Sequence, residues 1–318
     1  MNLRLAILSL TSRYALSADA GAEIKRLAKL DVEPPSLPRQ LSLGMAALGA
    51  TLGGLGIVFW IAANWESMSR TGRFALLQAT LACMLLGAWR RQSARMPLAL
   101  AGFLSCGALF AYFGQTYQTG ADPWQLFALW AALTLPLCLG VRHDALWTAW
   151  VIVALTAALL WSQTPTGTWW EGSPYRSSLG SWVPAIALAF AFRYAPAHRP
   201  GGGIWPMRLC MIHATIGLAT TAMWSLFSSG SHGLYPITLI TVLALAYAFS
   251  RREMFDIFVI SAIGLSANVL LVGGLARALF QDDTHGAEIP LMLLIGCAAA
   301  GLLAATVKLI LHLSRRQA

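Results

Sequence analysis

The sequence predicts an all-α, polytopic transmembrane helix bundle of about ten spans, preceded by a short N-terminal cytoplasmic helical hairpin. Three observations carry that prediction. Apolar runs of about 20 residues recur along the chain, each close to the length needed to cross a ~30 Å hydrocarbon layer. Only 11% of the 318 residues are charged and 57% are hydrophobic. Soluble domains carry roughly 25% charged residues, so much of the folded surface must face something other than water. Third, the basic residues gather at the ends of the apolar runs, which is the pattern of membrane topology rather than of a nucleic-acid stripe. The net charge of +9 therefore implies no nucleic-acid partner; the partner it implies is the lipid bilayer.

Residues 1–40 form the first unit. Leu5–Leu10 is too short for a signal-peptide core before it meets Thr11, Ser12 and Arg13, and reads as the first of two amphipathic helices. Ser17 is the expected N-cap of the second, in which Ile24, Leu27 and Leu30 share a face. Pro34, Pro35 and Pro38 make a linker that is not helical throughout. Five spans follow in a membrane core over 41–162, at 41–63, 73–89, 97–115, 124–141 and 145–162. Five more occupy 163–318, at 179–193, 207–228, 234–250, 254–276 and 289–312, and of these the first and third are the shortest. With both termini in the cytoplasm, only Arg70, Arg73, Arg176 and Arg277 of the 22 Lys and Arg residues fall on the outer side, as the positive-inside rule asks.

Small residues on one face let helix backbones approach closely. Gly49, Gly53 and Gly56 on the first span and Gly107 and Gly114 on the third predict a contact between those two spans. Trp65, Trp124, Trp161, Trp169, Trp170 and Trp182 map to the outer boundary as an interfacial belt. Cys83, Cys106, Cys138, Cys210 and Cys297 all lie in apolar segments without a CxxC, and read as small buried hydrophobes.

Two polar clusters meet the outer face. One is Asn64, Trp65, Glu66, Arg70 and Arg73, between the first two spans. The other is Gln115, Tyr117, Asp122 and Trp124, between the third and fourth. Glu66 and Arg70 have the i,i+4 spacing of a simple helical pair. Asp122, with Pro123 next and Gln125 three residues on, has the pattern of a capping box. Capping leaves Gln115, Tyr117 and the two arginines unexplained, and polar groups at membrane depth need partners and are often functional. An outward-facing polar cleft lined by these nine residues is the candidate partner- or ligand-binding site. Elsewhere, His213 and Asp256 read either as a proton relay or, for Asp256 beside Arg251 and Arg252, as an interfacial charge. Asp282, Asp283, His285 and Glu288 crowd one loop in no metal-ligand pattern. The sequence contains no HExxH, GxSxG or P-loop, and neither a metal, a cofactor nor a catalytic set is expected.

The stretches GLGIVFWIAANWESMSR (54–70), RFALLQ (73–78) and GQTYQTGADPWQLFALWAALTLPL (114–137) resemble a bacterial family of predicted membrane proteins, the domain of unknown function 2157. The resemblance covers about residues 1–160. It implies a polytopic inner-membrane protein working with another envelope membrane protein, and it carries no catalytic residue across. Two functional readings follow. One is a non-enzymatic envelope component that binds through its outer loops. The other is a transporter or lipid-handling protein with a polar path through the bundle. The scarcity of ionisable residues at mid-span favours the first; Asn268 is the strongly polar side chain found there.

Overall fold

The computed structural model describes residues 13–14, 17–27, 37–64, 67–117, 120, 122–164, 174–194, 204–228, 233–280 and 288–317. Among them there is no strand. Helix α1 is Ala18–Leu27, and the ten expected spans each fall on one helix. These are α2 (Leu37–Ala63), α3 (Arg70–Arg90), α4 (Arg95–Tyr117), α5 (Pro123–Val141) and α6 (Asp144–Gln163). They continue as α7 (Pro174–Tyr194), α8 (Ile204–Phe227), α9 (Leu234–Ser250), α10 (Ile257–Leu279) and α11 (Glu288–Gln317). A 3₁₀ turn, Gln92–Ala94, joins α3 to α4. Eight of the ten are long and apolar enough to cross a membrane. The other two are α7, which carries Arg176, Arg193 and several serines, and α9, which has 17 residues. The sequence reads both as short, but α7, at 21 residues, is longer than that reading gave it.

Ser17 caps α1 as expected, its Oγ accepting the Ala20 N–H at 3.3 Å. The first N-terminal helix and Leu30 lie outside the described residues. Pro38, expected in a non-helical linker, instead sits in the first turn of α2, where its missing N–H would have had no intrahelical acceptor.

Short links bring consecutive helices together. The Arg95 guanidinium donates to the Gly140 carbonyl at 3.1 Å, which sets the start of α4 beside the end of α5. The Tyr112 hydroxyl reaches the Arg70 carbonyl at 3.4 Å, setting the far end of α4 against the start of α3. Trp147 meets Phe192 edge-on at 5.3 Å, so the start of α6 adjoins the end of α7. One apolar cluster, around Phe103, Ala131, Cys138 and Leu146, joins α3 to α6. A larger one, around Met211, Leu218, Val242 and Ile263, joins α6 to α10. Helix α6 contributes to both, with Leu146 and Val153 in the first and Val151 and Leu155 in the second.

Aromatic donors lock the helices to one another. Trp130 of α5 donates from Nε1 to the Phe103 carbonyl of α4 at 3.0 Å. A Cβ at Gly107, one turn after Phe103, would overlap that indole. Trp150 of α6 donates to the Ala131 carbonyl at 2.7 Å. In the second half, Tyr235 of α9 donates to the Leu270 carbonyl of α10 at 2.9 Å, over the position a Cβ of Gly274 would occupy. Ser266 of α10 bonds the Thr215 carbonyl of α8 at 3.2 Å, and Thr306 of α11 bonds Asn268 Oδ1 at 3.1 Å.

Helices α2 and α4 do pack together, but not through a shared glycine seam. A Cβ at Gly49, Gly53 or Gly56 would meet nothing within 4 Å, and the glycines of α4 receive α5 instead: Trp130 fills the notch at Gly107 and Leu126 would come within 2.8 Å of a Cβ at Gly114. Trp182, expected at the interface, is 6% exposed and part of the larger core. Helix α7 begins at Pro174, not at 179, so Trp182 lies two turns deep. Trp161 is exposed and Trp124 half-buried, while Trp65, Trp169 and Trp170 lie outside the described residues.

Asp256 has a double structural task. Its Oδ1 accepts the Phe258 and Val259 N–H groups and caps α10, while Oδ2 pairs with Arg208 of α8 at 2.9 Å. Arg208 also stacks on Trp205 and Phe258. Neither arrangement involves His213 or the neighbouring Arg251 and Arg252, so the contacts of Asp256 are those of a cap and an ion pair rather than of a relay.

Overpacking a filled core site costs roughly 1–3 kcal/mol. Gly107→Ala should therefore lower the melting temperature of the detergent-solubilised protein, because the new methyl group collides with the Trp130 ring. Gly53→Ala should melt with wild type. The opposite ranking in a thermal-unfolding assay would show that the glycine face of α2 is the packed one.

Candidate functional site

The candidate residues come from two links at the end of the bundle where α2 and α4 finish and α3 and α5 begin. Asn64 follows α2, and its amide donates to the Trp60 carbonyl at 2.9 Å. That satisfies one of the carbonyls left open at a helix C-terminus. Its own carbonyl accepts the Ser67 hydroxyl at 2.9 Å, and Ser69 Oγ then accepts the Gly72 N–H to cap α3. Trp65 and Glu66 lie outside the described residues, and with them the expected Glu66–Arg70 pair. Arg70, the first residue of α3, is exposed; Arg73, on the next exposed-to-core boundary, is half-buried.

The structure brings this α3 turn against the last turns of α4 through aromatic rings. Phe74 lies 4.6 Å from Tyr112 and 5.8 Å from Tyr117, ring centre to ring centre, and Phe113 lies 4.9 Å from Tyr117. Tyr112 is buried, with its hydroxyl on the Arg70 carbonyl. Tyr117, the last residue of α4, is 50% exposed and Phe113 is 39% exposed. The result is a surface with an anchored tyrosine beneath, two open rings above, and Arg70 and Arg73 on the adjoining turn. Rings and guanidinium groups at a membrane boundary suit recognition of another protein or an amphiphile, since both offer an apolar body and a polar edge.

Gln115 is exposed on α4. Beyond α4 the chain passes Gly120, whose φ of 67° is the left-handed conformation that glycine adopts without cost. Asp122 then takes the N-cap position of α5 by its backbone, with Pro123 at the first helical position, and the Gln125 N–H bonds the Asp122 carbonyl at 3.0 Å. The capping-box expectation is corrected in one respect: the Asp122 carboxylate makes no cap hydrogen bond. Nor is Asp122 in an ion pair with Arg70 or Arg73 among the described residues. Trp124 is half-buried in the first turn of α5. Thus Arg70, Arg73 and Tyr117 are assembled on one surface with Phe74, Tyr112 and Phe113, three residues that polarity alone did not select. Their spacing was the available signal, because Tyr112, Phe113 and Tyr117 crowd the last turns of α4.

A recess that no residue pattern in the sequence marks lies at the opposite end of the same helices. It measures about 430 Å³ and is lined by the start of α2, the 3₁₀ turn with the start of α4, and the α5–α6 link.

Residues 9–147 match the family model described as "Predicted membrane protein (DUF2157)". The match covers 139 of the 318 residues, and over them the chain is similar to that family. The match runs from the N-terminal segment into the first turn of α6, so it contains every candidate residue and the recess at the other end. Comparisons with curated proteins and with solved structures find no match. The likeness is thus to a predicted membrane protein, and it assigns no chemistry to any residue.

Truncating a buried aromatic typically costs 3–5 kcal/mol. Tyr112→Ala should therefore destabilise the purified protein strongly, whereas Tyr117→Ala, which removes a half-exposed ring, should shift the melting temperature far less. Equal shifts would mean that Tyr117 is a packing residue and not an open one.

Proposed function

We propose that the protein is a non-enzymatic component of the bacterial inner membrane, with both termini in the cytoplasm, that binds an envelope partner or ligand through the outward-facing surface of its DUF2157 segment. The observation that carries this reading is the pair of open rings, Phe113 and Tyr117, held beside Arg70 and Arg73 by buried Tyr112 and by Phe74. Aromatic and arginine side chains in this setting are the residue types on which binding energy concentrates. The orientation rests on the distribution of basic residues, which places this surface on the side poor in positive charge.

Asp122, Gln115, Asn64 and Trp124 belong to the rim of the same surface in this reading, and Trp65 and Glu66 extend it. Asp122 is informative because its carboxylate is free of capping work. Asparagine occupies an N-cap position as well as aspartate does, so Asp122→Asn removes charge alone. The transporter reading draws less support. Its strongest mid-span polar group, Asn268, has its Oδ1 engaged with Thr306 in tying α11 to α10, and its buried Nδ2 is a single unbonded group rather than part of a polar path among the described residues.

Two measurements test the proposal. In a version without the five native cysteines, a cysteine at position 122 should react with a membrane-impermeant maleimide on intact spheroplasts, and one at position 91 only after permeabilisation; the reverse pattern inverts the orientation. In a strain lacking its native copy, Arg73→Gln, Tyr117→Ala and Asp122→Asn should each express normally yet fail to restore growth under envelope stress. Full complementation by all three removes this surface from the function.

A further inference from the structure

The recess at the basic end of the DUF2157 segment has a composition unlike the lipid-facing surface around it. Ser42 of α2, Gln92 and Ser93 of the 3₁₀ turn, Arg95 of α4 and His143 before α6 supply its polar wall. Leu43, Met96 and Val141 supply an apolar one. Three separate stretches of chain converge here, so the recess is a product of tertiary folding and not of one helix.

Two of its polar side chains, Arg95 and His143, are oriented by hydrogen bonds. One Arg95 nitrogen is held on the Gly140 carbonyl at 3.1 Å and another leans on Gln92 Oε1 at 3.4 Å. These contacts orient the guanidinium without neutralising it, for Arg95 has no carboxylate partner among the described residues. The His143 Nδ1 accepts the Ala145 N–H at 3.2 Å, so the proton of the neutral ring resides on Nε2 as a donor. Ser93 adds a hydroxyl. The adjoining Arg142 is the described non-glycine residue held at positive φ, 55°, where it ends α5. That conformation is costly for a side-chain-bearing residue, yet it turns the chain so that His143 enters the recess. Asp144, next in sequence, is not part of the lining.

We propose that this recess binds a phosphate-bearing anion, with Arg95 and His143 as its principal donors and Ser93 as an auxiliary one. A guanidinium with open N–H groups is suited to phosphate oxygens. The apolar wall of Leu43, Met96 and Val141 gives room for the chain of a phospholipid, while the open polar side admits a soluble phosphate ester. The site lies at the opposite end of the helices from the recognition surface and does not depend on that reading.

The test uses the full-length protein in detergent and three probes: glycerol 3-phosphate, dioctanoyl phosphatidylglycerol, and dioctanoylglycerol, which has the same tails without phosphate. Binding is read by native mass spectrometry and by thermal shift. At least one phosphate-bearing probe should bind more tightly than dioctanoylglycerol. A preference for the lipid identifies a headgroup, and equal binding of glycerol 3-phosphate identifies a free ester. Arg95→Gln should weaken that binding about tenfold or more, the scale of a lost charge-assisted hydrogen bond. His143→Asn, which keeps a capping residue before α6, should weaken it as well. Arg251→Gln, a basic residue of α9's end outside the recess, should not. Should Arg95→Gln misfold, Ser93→Leu fills the recess from its exposed rim and must give the same loss. The proposal is overturned if dioctanoylglycerol binds as well as the phosphate probes, or if Arg251→Gln weakens binding as much as the recess variants do.

Discussion

Lipid tails are as apolar as leucine, so burial of apolar surface does little to hold one membrane helix against another, and every polar group at depth must find its partner inside the protein. At two places this chain meets both demands with one arrangement. An aromatic donor lies over a glycine of the neighbouring helix and bonds the carbonyl one turn earlier. Trp130 does so over Gly107 on the Phe103 carbonyl, and Tyr235 does so over Gly274 on the Leu270 carbonyl. The missing Cβ gives access to a carbonyl whose second lone pair is still available, although its first serves the helix. Close packing and polar satisfaction are achieved by the same residues.

The arrangement explains why the two ends of the bundle's sequence differ from its middle. Helices α4, α7 and α10 sit among neighbours whose side chains occupy their glycine notches: a Cβ at Gly107 would collide with Trp130, at Gly180 with Ser162 and at Gly273 with Met223. Helices α2 and α11 also carry glycines, yet a Cβ at Gly49, Gly53, Gly296 or Gly301 would meet nothing within 4 Å. A small-residue face is a permission for contact. Whether the contact forms depends on the large residue opposite, which a motif read along one helix does not contain.

That distinction marks the limit of what was legible in the sequence. The ten helices were legible, because apolar length is a local property, and so were the weaknesses of α7 and α9, which come from Arg193, the serines and seventeen-residue length. Partners were not. Asp122 has the residues of a capping box, but Pro123 and the backbone satisfy the turn without its carboxylate. Trp182 reads as interfacial until the helix is found to start at Pro174, which carries the indole into the core. On the candidate surface, polarity pointed to Arg70, Arg73 and Tyr117. It passed over Phe74 and Tyr112, which hold them together, because aromatic residues near a span end are the ordinary content of a membrane helix. Arg95 was legible only as one of the inward basic residues and His143 carried no signal, since the recess they share is made from residues about fifty positions apart.

Helix α4 relates the two surfaces. Arg95 is its first residue and Tyr117 its last. Twenty-three residues at ~1.5 Å each make it about 34 Å long, the thickness of the hydrocarbon layer it crosses. Its middle is the most enclosed part of the first half, with Ala99, Phe103, Ser105, Cys106 and Gly107 all buried and Trp130 locked across it. No one ligand of ordinary size reaches from the recess at one end to the aromatic surface at the other. The two surfaces therefore lie at opposite ends of a single helix whose centre is pinned, and evidence for or against a ligand at one of them leaves the other where it stands.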